Sequence, residues 1–150
     1  MIIDNDRLNI YQKHGVLILA ENTARIFIPE SDSVLIRIRE HQPTPFKNEE
    51  LYVDVVNVVF DDIEDPSIYD KLMTPDDAKI IVDFMIKHFT KKLVVHCQAG
   101  ISRSSATACA WAYLHQNKDL ERDIRSSPLF YPNKHVYRLL IEEIDNRISF

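Results

Sequence analysis

Residues 93 to 106 read LVVHCQAGISRSSA. An apolar run leads into Cys97, Gly100 follows three residues later, and Arg103 three residues after that. The chain holds only two glycines and two cysteines, so one of each within four positions is a specific arrangement. The run over 92–96 reads as a short strand, and the small residues over 103–115 read as a buried helix. Strand, loop, helix is the arrangement in which consecutive backbone N–H groups converge on one anion. The unpaired N–H groups and positive dipole end of the helix add to that field. Gly100 supplies a positive φ, or a close backbone approach, in mid-loop. The same field favours the thiolate of Cys97, which is the nucleophilic form. Arg103 carries a planar fork that can hold two phosphate oxygens. Ser104 can give its hydroxyl to the sulfur. A Walker phosphate loop needs a second glycine and a lysine before Ser/Thr, and neither is present.

The rest of the chain supplies the scaffold. Strands are predicted over 16–20, 34–38 and 51–60. A short helix over 21–27 ends before Pro29, and 41–46, with its two prolines, is loop. Thr74, Pro75, Asp76 and Asp77 carry helix-start chemistry ahead of Ile80, Ile81, Phe84, Met85, His88 and Phe89 at helical spacing. A further helix opens at Asp119, 127–132 is loop, and a last helix carries Val136, Leu140, Ile144 and Ile148 on one face. Strands alternating with helices predict an α/β fold, with a mainly parallel sheet of four to five strands and helices on both faces. The 150 residues make one domain, 1–150. A chain of this size buries ~70% of its unfolded surface, enough for a core without disulfides or metals.

Composition narrows the function. The net charge of −5 argues against nucleic-acid backbone as the partner. The start shows no leader, and no apolar run is long enough to span a bilayer, so the expected compartment is the cytoplasm, with free thiols. Cys109 sits among alanines and reads as core. His41, His88, His115 and His135 show no metal-ligand spacing with either cysteine, so no metal and no cofactor is expected.

HCQAGISRS, residues 96–104, resembles His-Cys-x-x-Gly-x-x-Arg-Ser, the signature of cysteine-based protein phosphatases. The Ala before the glycine, ISRS after it and the short chain are similar to the dual-specificity branch. YPNKHVYRLL, from Tyr131 onward, is similar to the Pro-Asn segment that opens that family's last helix. The resemblance implies that Cys97 is the nucleophile and forms a phosphocysteine. It implies that Arg103 clamps the phosphoryl oxygens, Ser104 stabilises the leaving thiolate and His96 orients the cysteine. Gln98, Ala99, Gly100, Ile101, Ser102 and Arg103 form the phosphate-binding loop. The resemblance also implies a general acid, an aspartate on another loop. Parallel strands bring the loop after Phe60 to the same sheet edge as Cys97. That loop offers Asp61, Asp62 and Asp65, and family placement favours Asp62, with Asp65 second.

The implied partner is a phosphorylated protein or peptide, with phosphate, sulfate or vanadate as loop ligands. Phosphotyrosine is the expected target, with phosphoserine and phosphothreonine beside it. Gln98, Ala99 and Ile101 carry no positive charge, which disfavours a phosphoinositide. An RNA 5′-triphosphatase and a phosphate-binding module without turnover are the alternatives. Arg37, Arg39 and Lys47 are either surface charges or the rim of the pocket.

Overall fold

The structure, a computed structural model, describes residues 2–42, 44–65 and 71–150. Pro43 of the proline loop and residues 66 and 67 of the acidic loop lie outside the described residues. Four strands, β1 (Val16–Ala20), β2 (Ser33–Arg39), β3 (Asp54–Val59) and β4 (Lys92–Cys97), form one parallel sheet in the order β1-β4-β2-β3. β1, β2 and β4 are almost wholly buried, and they are near-continuous apolar runs, as strands covered on both faces must be. β3 lies at the edge and carries Asp54 and Asn57. It is shorter than the expected 51–60, because Lys47–Leu51 closes into a 3₁₀ turn and Tyr52 turns its ring into the core.

The helices are α1 (Asn5–His14), α2 (Glu21–Ala24), α3 (Pro75–Lys87), α4 (Arg103–Leu114), α5 (Lys118–Ser126) and α6 (Lys134–Arg147). α3 starts as its sequence predicts. The Thr74 hydroxyl accepts from Asp77 N, the Asp77 carboxylate accepts from Thr74 N, and Pro75 sits in the first turn. α6 keeps Val136, Leu140 and Ile144 on its buried face, and Ile148 packs on the core just past its end.

Helices lie on both faces, as expected, but cover them unequally. α3 to α6 pack over one face, around Ile36, Val95, Ile81, Trp111 and Leu140. Among the described residues the other is covered by the single turn of α2, by Tyr11 of α1 and by Phe27, Phe46 and Tyr52, which close it over Leu17, Leu35 and Val94.

α1 was not expected, because it buries only Arg7 and Ile10 and so has no apolar stripe. Its ends carry the signal instead. The Asp4 side chain accepts from Arg7 N, and Gly15, at φ 70°, donates back to Tyr11 O. Among the described residues no helix is long and apolar enough to cross a membrane.

Parallel strands place all four carboxyl ends on one edge. β4 is interior to the sheet, so Cys97, its last residue, emerges between the ends of β1 and β2.

Candidate active site

The loop from Cys97 to Arg103 is shaped through its carbonyl groups. A peptide unit is planar and trans, so a carbonyl held outward turns the next N–H inward. Cys97 O faces His96 Nδ1 at 3.3 Å. Gln98 O accepts from Glu21 N, the first residue of α2, at 3.2 Å. Gly100 O accepts from Arg7 Nη1 at 2.9 Å. Ile101 O accepts from Tyr131 N at 3.0 Å and from the Ser105 hydroxyl at 2.5 Å. Ser102 O accepts from Asn133 N and Ala106 N, each at 3.1 Å. The amides of Ala99, Gly100, Ile101 and Ser102 find no partner among the described residues. Ser102 is the N-cap of α4, yet its side chain caps nothing there, so the first-turn N–H groups also stay open. Such a ring of amides is built to hold an anion.

Gly100 is essential to this geometry. It lies at φ 69°, and a Cβ there would stand 2.5 Å from Ala20 N and 2.6 Å from Leu19 C. The loop rests directly on the end of β1.

Cys97 is buried, and its Sγ lies 3.1 Å from the Ser104 hydroxyl. His96 is fully buried beneath it. Arg37 Nε donates to His96 Nε2 at 2.9 Å, and a guanidinium cannot accept, so Nε2 carries no proton. The remaining proton is on Nδ1, facing the Cys97 carbonyl. Burial first, and then the charge of Arg37, pushes the His96 pKa down to about 3, so the ring is neutral at ordinary pH.

Arg103, the first residue of α4, is also buried. Its Nη1 donates to Phe60 O at 2.8 Å and its Nη2 to Glu40 Oε1 at 2.9 Å. Its Nε has no partner among the described residues. The fork is therefore aimed by the ends of β2 and β3, with one nitrogen, Nε, uncommitted.

Of the three acids after β3, Asp62 is the one joined to the loop. Its Oδ1 accepts from the Ser102 hydroxyl at 2.8 Å and from Asn133 Nδ2 at 2.9 Å. Asp61 is tied to the backbone of Lys71, accepting from its N–H at 2.5 Å and donating to its carbonyl at 2.7 Å. Asp65 is exposed, with no hydrogen bond to the loop among the described residues.

Four residues that sequence reading did not single out shape this edge: Arg7, Glu21, Glu40 and Asn133. Only Asn133 had a signal, the Pro-Asn pair. Its Oδ1 caps α6 at Val136 N, while its Nδ2 bridges Asp62 and Ile63 O. Arg37 is neither a surface charge nor a rim residue: it is 1% exposed and lies under the loop, against His96 and the Phe46 ring. Arg39 pairs with Glu21 at 2.5 Å, and with Glu21, Asn22, Glu40, His41 and Gln98 it lines a cleft of about 340 Å³ beside the loop. Lys47 is exposed in the 3₁₀ turn. Cys109 is core, and burial pushes its thiol up to about 12.

No model of a known protein family matches the chain. It is 25% identical, over 112 residues, to the dual specificity protein phosphatase YVH1 of Plasmodium falciparum. That match takes in 69% of this chain and 18% of the relative, so the chain spans less than a fifth of its length. Among solved structures it is similar to Tk-PTP in the active form, with a TM-score of 0.56 at 19% identity over 89% of this chain and 92% of that one. It is likewise similar to DUSP15, with a TM-score of 0.58 at 18% identity over 90% and 93%. The chain shares the fold of these two solved phosphatase structures, a parallel sheet flanked by helices.

Two outcomes follow from this geometry. Gly15→Ala meets only Lys92 Cγ, at 3.6 Å, and should cost about 1–2 kcal/mol of left-handed backbone strain. Gly100→Ala adds a backbone clash and should cost clearly more in urea unfolding; equal costs would mean that the loop does not rest on β1 as described. The second concerns acid. Between pH 6.5 and about 3, residue 96 binds a proton in the unfolded chain and not in the folded one. The stability that His96 contributes is full above 6.5 and is lost as pH falls toward 3, by up to about 1.4 kcal/mol per pH unit. In His96→Asn the slope of stability against pH should be shallower by about one proton across that window, whatever the offset in absolute stability.

Proposed function

We propose that this chain is a phosphomonoester hydrolase acting on phosphotyrosine, and on phosphoserine and phosphothreonine, through a phosphocysteine at Cys97. The observation that carries this reading is the single loop that joins all the groups required. Cys97 Sγ stands at its start, Arg103 at its end, and Asp62 is hydrogen-bonded to Ser102 between them. The names of its relatives, which are phosphatases, support the same reading.

In the first step the Cys97 thiolate attacks phosphorus, the S–P bond forms and the P–O bond to the leaving group breaks. Asp62 gives its proton to the leaving oxygen. The inward amides and Arg103 hold the equatorial oxygens as charge moves onto them. In the second step water attacks phosphorus, the Asp62 carboxylate takes its proton and the S–P bond breaks. The Ser104 hydroxyl donates to the departing thiolate. His96 holds the carbonyl of Cys97 and exchanges no proton. No step calls for a metal or cofactor.

Cys97→Ser should still bind inorganic phosphate while turnover falls by ~10⁴-fold or more, the order expected when a nucleophile is removed. Labelled phosphate should be trapped on wild type and not on the variant. Trapping also separates an enzyme from a phosphate-binding module, and wild-type kcat in Cys97→Ser would remove the nucleophile assignment.

The role of Asp62 depends on the leaving group. With a phosphotyrosine peptide, Asp62→Asn should slow the phosphorylation step by ~10²–10⁴-fold. With an ester of a very acidic phenol, which leaves without a proton, the loss should be far smaller. Asp61→Asn and Asp65→Asn are the controls, and transfer of this pattern to Asp65→Asn would move the acid three residues along the loop.

A further inference from the structure

We propose that Arg7, on α1, is a positioning residue of the phosphate loop. It acts by holding the Gly100 carbonyl outward, so that the Ile101 amide faces the bound anion. This rests on the loop being the phosphate site proposed above.

Arg7 is distant in sequence and close in space. Its Nη1 donates to Gly100 O at 2.9 Å across 93 residues of chain, and to Ile18 O of β1 at 2.7 Å. One nitrogen thus ties the loop to the strand beneath it. Its Nε donates to the Asp4 carboxylate at 2.9 Å, and its guanidinium carbon lies 5.2 Å from the centre of the Phe130 ring. The residue is 8% exposed.

α1 gains nothing electrostatically from this side chain. Arg7 sits in the first turn, where a cation opposes the helix dipole. Asp4 compensates, since the same carboxylate that caps the helix accepts from the guanidinium. The two carbonyls reached by Nη1 account for the arginine. The Ile18 bond alone would dock α1 on the sheet. The Gly100 bond adds control of a peptide plane in the anion site, at the one loop residue with positive φ. A lysine ammonium reaching from position 7 lacks the rigid fork that Asp4 and Nη1 share.

The experiment compares wild type, Arg7→Met, Arg7→Lys and His14→Ala. His14 binds Asp123 from the far end of α1, so its loss loosens α1 without touching the loop. Each protein is titrated with inorganic phosphate, assayed for kcat and KM on an aryl phosphate, and melted. Arg7→Met should raise the phosphate Kd and lower kcat/KM, each by about tenfold, the order expected for one hydrogen bond from a charged donor. Arg7→Lys should fall between, and it carries the test alone should Arg7→Met fail to fold. His14→Ala should lower the melting temperature and leave phosphate affinity at the wild-type value. Wild-type phosphate affinity and kcat/KM in the Arg7 variants would overturn the positioning role and leave the site reading intact. Wild type that binds no phosphate at all would overturn the site reading and this inference with it.

Discussion

An anion-binding loop must turn its amides inward, and a planar peptide then forces its carbonyls outward, toward the protein. A buried carbonyl without a donor is costly, so the scaffold has to supply donors around the whole ring. Here they come from places far apart in sequence: His96 from β4, Glu21 N from α2, Arg7 from α1, and Tyr131 N and Asn133 N ahead of α6. Most elements of the fold therefore meet at one loop of seven residues. The tight contact of Gly100 with β1 belongs to the same requirement, because the loop must lie close enough to the sheet for those donors to reach.

A layer of charge lies beneath the loop on the face that α2 covers. Arg37 is buried, and burial lowers its pKa in spite of the nearby Glu49 and Glu21 carboxylates, at 3.5 and 3.9 Å. An unpaired cation at such depth would cost several kcal/mol, so the pairing and the bonds to His96 and Thr44 O are what make it tolerable. Its effect on His96 is directional. A guanidinium can only donate, which leaves the imidazole neutral, with its proton turned to the loop. Glu21 also pairs with Arg39, and its own N–H holds Gln98 O, so one residue serves both the charge layer and the loop.

On the opposite flank, Asn133 couples three segments. It caps α6, fixes the carbonyl of Ser102 and holds the carboxylate of Asp62. The loop after β3 is thus set against the Cys97–Arg103 loop by one buried amide.

The strand–loop–helix around residues 96–104 was legible directly, because an apolar run leads into it, a small-residue helix follows it, and a mid-loop residue with positive φ demands glycine. The strands β1, β2 and β4 and the helix α3 were also legible, since burial on both faces imposes apolar runs and helix starts need capping chemistry. α1 escaped because its single buried apolar residue gives no periodicity. Among Asp61, Asp62 and Asp65 the residues themselves offered no choice and only the family resemblance ranked Asp62 first; the fold separates them, joining Asp62 to Ser102 and Asn133 and Asp61 to Lys71. Arg7 and Glu40 looked like ordinary charges on polar or mixed segments, and Arg37 read as a surface charge or a rim residue. Their partners lie 93, 63 and 59 residues away, and a side chain's partner at that distance is decided by how strands and helices pack, which no local pattern encodes.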